Sequence, residues 1–213
     1  EHDSDAVDRA VAALAGVPQQ DQLVPVLDRS ISSPLAGRRA YYHWAQRWVP
    51  IQSPRLCAER IDALPDGRPR LRATFSYVTW LGEHAPLEHL QAYVERSQKL
   101  LHANDECWGA VCYARCNKRA YRDLVAWISG WQKRSNLEAW MLIHVADACR
   151  TEDRWSEALE AHHRAEALPR DRSWQTHTLW LAVEASVTGD AVEADRYLVT
   201  AEIENEYLRT VLE

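Results

Sequence analysis

The stretch that decides the fold runs from residue 142 to residue 169 and reads LIHVADACRTEDRWSEALEAHHRAEALP. Apolar and small residues recur in it every three or four positions, which is the period of an α-helix with one buried face. The pattern breaks at Thr151–Arg154 and resumes at Trp155, so two helices joined by a short turn are indicated. Small residues at Ala146 and Ala158 allow the two helices to approach closely. The stretch therefore predicts a helical hairpin.

The same hairpin pattern recurs along the chain. Each copy has a small or apolar residue early in its second helix, and these residues are spaced by 33 to 36 positions: Leu23, Cys57, Leu90, Leu124, Ala158 and Ala194. Gly189 lies where a tight turn between two helices is expected, and Asn104 and Asp171–Ser173 are suitable helix starts. A constant period of this length is typical of stacked helical repeats.

The order of large and small residues in the last two copies resembles the tetratricopeptide repeat family. The resemblance implies an all-α fold, a right-handed superhelix (solenoid) of about six helical hairpins in a single domain over residues 1–213. The expected hairpins cover 4–32, 35–65, 69–102, 105–134, 137–168 and 173–203, followed by a C-terminal helix at 204–213. A pentatricopeptide-like array or another helical-hairpin repeat stays open as an alternative.

Composition excludes several other classes of protein. The 213 residues are 46% apolar and 26% charged, which is not typical of a disordered chain, and only seven are Gly, which disfavours β-sandwiches and barrels. No apolar run approaches the ~20 residues that cross a bilayer. The net charge of −6 disfavours a general affinity for nucleic acid. Five irregularly spaced cysteines favour reduced, buried thiols, and we expect a cytoplasmic protein.

Chemistry-bearing motifs are weak. Cys112 and Cys116 share a helix face, and Cys149 is a conceivable third ligand, but the C-x2-C turns of structural zinc sites are absent. The nine histidines form no pair at a metal-binding helical spacing, and the sequence has no nucleophile elbow and no phosphate-binding glycine loop. We therefore expect no catalytic residues, no metal and no cofactor, and interpret the chain as a non-enzyme.

In the family that the chain resembles, the first helices of successive hairpins line a concave groove that holds a peptide or a partner helix. The resemblance implies protein–protein interaction as the function and nine partner-binding residues: Arg39, Tyr42, Arg72, Phe75, Tyr113, Asn117, Trp140, Asp147 and Arg150. Arginines beside aromatic rings suit an acidic peptide or single-stranded RNA, and the acidic net charge favours the peptide. RNA binding and an accessory repeat domain of a larger enzyme or signalling protein are the alternatives.

Ten tryptophans against one phenylalanine make the aromatic residues unusual. Helical phase places five of them in the core: Trp44, Trp48, Trp108, Trp131 and Trp155. The other five do not fit the buried stripe: Trp80, Trp127, Trp140, Trp174 and Trp180. Because a buried indole mainly supplies apolar area, we expect most of the ten to lie in the core.

Overall fold

The computed structural model describes residues 20–33 and 36–200. They form eleven α-helices and two short 3-10 helices, with no β-strand among these residues, so the all-α prediction is confirmed. The chain divides into two compact units at Lys118 and Arg119. The first helix of the expected hairpin 4–32 and the expected helix 204–213 lie outside the described residues. The six-hairpin solenoid stays a prediction.

The described residues of the first unit form six α-helices, and a 3-10 helix at Val49–Ile51 follows the second of them. Their bounds are α1 Gln20–Ser30, α2 Arg38–Arg47, α3 Pro54–Asp62, α4 Arg68–His84, α5 Leu87–Ala103 and α6 Asp105–Asn117. As the sequence predicted, Asn104 caps α6: its Oδ1 accepts a hydrogen bond from the Cys107 amide at 2.9 Å. α4 packs against both α2 and α6, so first helices of successive pairs lie side by side.

The contact between α4 and α6 is very close. A Cβ atom built on Gly82 of α4 would lie 2.5 Å from the Cα and 2.6 Å from the Cβ of Ala114 on α6. Only glycine fits at such a distance, because any side-chain atom would overlap the opposite backbone. Around this contact the core contains Tyr77 and Trp108, both almost completely buried. Shape therefore fixes how α4 and α6 pack.

In the second unit, residues 119–200 form five α-helices and a 3-10 helix at Trp131–Lys133. Their bounds are α7 Tyr121–Trp127, α8 Ala139–Thr151, α9 Trp155–Glu166, α10 Trp174–Thr188 and α11 Ala191–Thr200. α9 packs between α8 and α10, and α11 folds back along α10. The α10–α11 turn contains Gly189 at φ +84°, so the expected tight turn is confirmed.

No helix in the described part of the chain combines the length and the apolar character that a membrane crossing needs. The five cysteines are all free thiols, and four of them are buried. Burial raises the pKa of Cys57 and Cys107 to about 12. The expectation that most of the thiols are buried is confirmed, and their reduced state stays a prediction.

Candidate functional site

Four of the nine predicted binding residues lie on two neighbouring helices of the first unit. Arg39 and Tyr42 are on α2, where both are exposed, and the Tyr42 side chain is 57% exposed. Arg72 and Phe75 are on α4, where both are half-buried. Since α2 packs against α4, the structure brings these residues to one part of the first unit.

Arginines dominate the surface around these residues. α2 contains no acidic residue, and α4 contains none before Glu83. Arg38 Nη2 and Arg72 Nη1 donate to the same oxygen, Oε1 of Glu106, at 3.2 and 3.1 Å. We call the group formed by Arg38, Arg39, Arg68, Arg72 and Tyr42 the basic surface.

The basic surface also acts on a buried phenol. Burial raises the pKa of Tyr41, and the positive charges of Arg68 and Arg72 oppose this rise. Both arginines lie in the first two turns of α4, which packs against α2. Neither α2 nor α4 has a side-chain cap or an acidic residue in its first turn, so both positive helix ends add to the field of the arginines.

Tyr113 and Asn117 lie further along α6, on the face that begins with Glu106. The Tyr113 hydroxyl donates to Oε1 of Glu83 at 2.8 Å. Burial and this hydrogen bond to Glu83 raise the pKa of Tyr113, while a hydrogen bond with Asn117 lowers it. The two predicted residues therefore contact each other, and an acidic side chain adjoins them instead of an arginine.

The remaining three predicted residues belong to α8 in the second unit. Trp140 is half-buried, and its Nε1 donates to Oε2 of Glu138 at 3.1 Å. Arg150 pairs with Asp147, and its guanidinium carbon lies 3.8 Å from the centre of the Trp180 ring. The charge of Arg150 is thus matched by a carboxylate and stacked on an aromatic face.

Two buried histidines extend a line of hydrogen-bond contacts that begins at Arg150. The sequence reasoning missed both of them. Arg150 Nη1 lies 2.9 Å from Nε2 of His162, the Nδ1 atoms of His162 and His177 are 2.8 Å apart, and His177 Nε2 lies 2.9 Å from the Ala139 carbonyl oxygen. His162 is 2% exposed and His177 is 0% exposed. We call this arrangement the histidine chain.

The groups at the two ends of the histidine chain determine which ring nitrogens carry the protons. A guanidinium only donates, so Nε2 of His162 accepts, and a carbonyl only accepts, so Nε2 of His177 donates. His162 therefore carries its proton on Nδ1 and donates it to Nδ1 of His177. Every hydrogen-bonding position is filled when both imidazoles are neutral.

The electrostatic surroundings agree with neutral histidines. Burial, and to a smaller extent the neighbouring His177, Arg150 and His163, lower the pKa of His162 to about 3. Burial also lowers the pKa of His177, although its bond to the Ala139 carbonyl and the carboxylates of Asp171 and Asp147 oppose this. Both rings are uncharged at neutral pH.

An apolar pocket opens beside the histidine chain. It has a volume of about 160 Å³ and lies between α9 and α10, with Arg150 from α8 at one side. The apolar side chains that line it are Trp155, Ala158, Leu159, Trp180, Val183 and Val187, and the polar ones are Arg150, His162, Glu184 and Thr188. The His162 and Trp180 rings are nearly parallel, at 13°, with centroids 6.0 Å apart.

The tryptophan predictions need correction at three positions. Trp155 was expected in the core but is 53% exposed, whereas Trp127 and Trp174, expected outside it, are each only 5% exposed. Trp155 is the first residue of α9, and helical side chains lean toward the N-terminus, so its ring extends past the helix end. Trp44, Trp48, Trp108 and Trp131 are buried as predicted, so six of the ten are buried.

No family model, no curated protein and no solved structure matches this chain.

Proposed function

We propose that this protein is an interaction module that binds an acidic polypeptide segment on the basic surface of its first unit. The observation that supports this most directly is the concentration of arginines beside exposed Tyr42 on two packed helices. Arginine forms bidentate hydrogen bonds with carboxylates, and an adjacent aromatic ring contributes apolar contact area.

Glu106 explains why the arginines can lie together in the unbound protein. One carboxylate oxygen accepts from both Arg38 and Arg72, and this reduces the repulsion between the two guanidinium groups. Arg38 stays 73% exposed, so it keeps donors available toward the solvent. An acidic segment supplies further carboxylates to the same group of donors.

A charge-reversal experiment tests the proposal. The probes are a capped octaglutamate peptide and a capped octaglutamine peptide, whose binding is measured by fluorescence anisotropy at 50 and 200 mM salt. We expect octaglutamate to bind more tightly than octaglutamine. We expect the Arg38→Glu/Arg39→Glu variant to bind octaglutamate about tenfold more weakly than the wild type does. Added salt weakens the same interaction because it screens exposed charges.

Arg55→Glu is the matched control, because Arg55 is 84% exposed on α3 of the same unit and lies outside the basic surface. Equal losses in Arg55→Glu and in the double variant would contradict the proposal. An oligouridine probe decides the alternative class of partner. Oligouridine that binds more tightly than octaglutamate, with a steeper salt dependence, would replace the proposal with RNA binding.

A further inference from the structure

The apolar pocket of the second unit is not used by the proposed function. Its polar side chains are largely engaged within the protein: Arg150 contacts Asp147 and His162, His162 contacts His177, and the Thr188 hydroxyl donates to the Glu184 carbonyl at 3.0 Å. The remaining lining is apolar and aromatic. An occupant therefore meets mainly carbon.

Volume limits the size of that occupant. At about 160 Å³ the pocket is close to the apolar cavities of about 150 Å³ that hold one benzene molecule. A single phenyl ring fits this space. Trp155 and Trp180 are among the lining residues, and aromatic rings pack favourably against one another.

Charge around the pocket selects against ionic occupants of either sign. The two charged side chains of the lining, Arg150 and Glu184, have opposite signs, so an ion of either sign meets one like charge. The Arg150 guanidinium is also paired with Asp147 and lies 3.8 Å from the centre of the Trp180 ring, which leaves it less able to bind an anion. His162 adds no charge while the histidine chain is intact. The pocket is complementary to an uncharged group.

We infer that this pocket binds an uncharged phenyl-sized ring, presented as an aromatic side chain by a partner polypeptide. The polypeptide source follows from two features. A free ring of six or seven atoms buries too little area for tight binding, so it needs flanking contacts. The pocket rim supplies them, because Trp155 is 53% exposed and Val187 is 82% exposed beside the opening.

Three probes of one shape test the charge requirement: toluene, benzoate and benzylammonium. Each is titrated into the full chain at pH 7.5, and binding is followed by the NMR signals of the Trp155 and Trp180 indole N–H groups. We expect toluene to bind about tenfold more tightly than either ion, because a buried charge without a partner is costly. Equal or tighter binding of an ion would overturn the inference.

Two peptides test the source of the ring: Ac-Gly-Gly-Phe-Gly-Gly-NH2 and the same sequence with Ala in place of Phe. We expect the Phe peptide to shift the same two indole signals and to compete with toluene, whereas the Ala peptide does neither. Toluene binding without competition by the Phe peptide would overturn the polypeptide source.

Two variants place the binding in the pocket. Val187→Glu adds a carboxylate at the rim, and Leu159→Trp fills the space from inside; we expect each to weaken toluene and the Phe peptide by about threefold or more. Val192→Glu is the matched control, because Val192 is 83% exposed on α11 and does not line the pocket. Equal affinities in Val187→Glu and Val192→Glu would overturn the assignment. These probes do not involve the basic surface, so their outcome is independent of the function proposed above.

Discussion

The α4–α6 contact of the first unit and the α9–α10 contact of the second are built on different physical principles. Between α4 and α6, glycine lies directly against backbone, and the surrounding side chains are apolar. Between α9 and α10, two histidines are buried and hydrogen-bonded to each other at 2.8 Å. The stability of the first contact depends on how closely the two helix surfaces fit. The stability of the second depends on the protonation state of its two histidines.

This difference predicts different sensitivities. A contact fixed by shape is weakened by any added atom but is insensitive to acid, because burial raises the pKa of its titratable groups Tyr77 and Cys107, which stay neutral as the pH falls. A contact fixed by neutral histidines tolerates changes of shape that keep the donors and acceptors, but it loses stability when protons are added. Four experiments compare the two contacts, beginning with the largest expected effect.

Gly82→Ala is expected to destabilise the first unit by about 3 kcal/mol, because the new Cβ overlaps Ala114 and the helices must move apart. The free energy of unfolding in urea measures the effect. Ala114→Gly in the same chain should rescue little of the loss, since the Cα of Ala114 itself lies 2.5 Å from the position of the new Cβ.

Gly130→Ala is the control for backbone strain. Gly130 has φ +75° and ψ +19°, in the left-handed helical region, and no atom within 4 Å of a built Cβ, so only the conformational cost of about 1 kcal/mol is expected there. If Gly82→Ala costs no more than Gly130→Ala, the close α4–α6 contact does not carry the stability assigned to it.

Acid is expected to weaken the second unit at its histidine chain. Both histidine pKa values lie below the unfolded value of 6.5, so the unfolded chain takes up protons first, and stability present above pH 6.5 is lost as the pH falls. Between pH 7 and pH 5.5 His162 alone costs about 1 kcal/mol, and His177 adds to the loss in the same direction. Amide hydrogen exchange of α9 and α10, compared with α4 and α6, measures where the loss occurs.

His162→Gln/His177→Gln removes this acid sensitivity. A glutamine amide offers one acceptor and N–H donors, so it reproduces the pattern of each neutral histidine but takes up no proton in this range. His163→Gln is the control, because His163 is the exposed neighbour of His162 on α9. The same pH dependence in wild type and the double variant would show that other groups cause the acid effect.

Arg150→Lys tests the start of the histidine chain and has the smallest expected effect, about 1 kcal/mol. A single ammonium cannot contact Asp147 and His162 and also stack on Trp180 as the planar guanidinium does. Urea unfolding at pH 7.5 measures the change, and Arg122→Lys on exposed α7 surface is the control. A loss no larger than in the control would mean that Arg150 adds no net stability.

The helical period of the apolar residues predicted much of the fold. Apolar spacing predicted the all-α class, Asn104 marked a helix start, and Gly189 marked a turn, because each of these depends on local geometry. Helical phase gave the wrong burial for Trp127, Trp155 and Trp174, each of which is at the end of a helix. A helix end has no adjoining turn on one side, so the 3.6-residue period does not determine what its side chain contacts.

The candidate sites were predictable only in part. The arginines of α2 and α4 stood out in the sequence, because each group lies within a few residues of one chain segment. His162 and His177 are 15 residues apart on different helices, and no spacing rule relates them. The useful signal was their position: each lies on a helix face otherwise occupied by buried residues, where an ionisable group needs a polar partner.

The direction of the histidine chain also determines how three helices align along their axes. Starting at Arg150 in the last turn of α8, the donors pass through α9 and α10 and end at Ala139, the first residue of α8. An apolar seam still packs after one helix slides by a turn, but this closed circuit of donors and acceptors is complete at a single alignment. The buried imidazoles therefore favour one axial alignment of the three helices over others that would bury a similar apolar area.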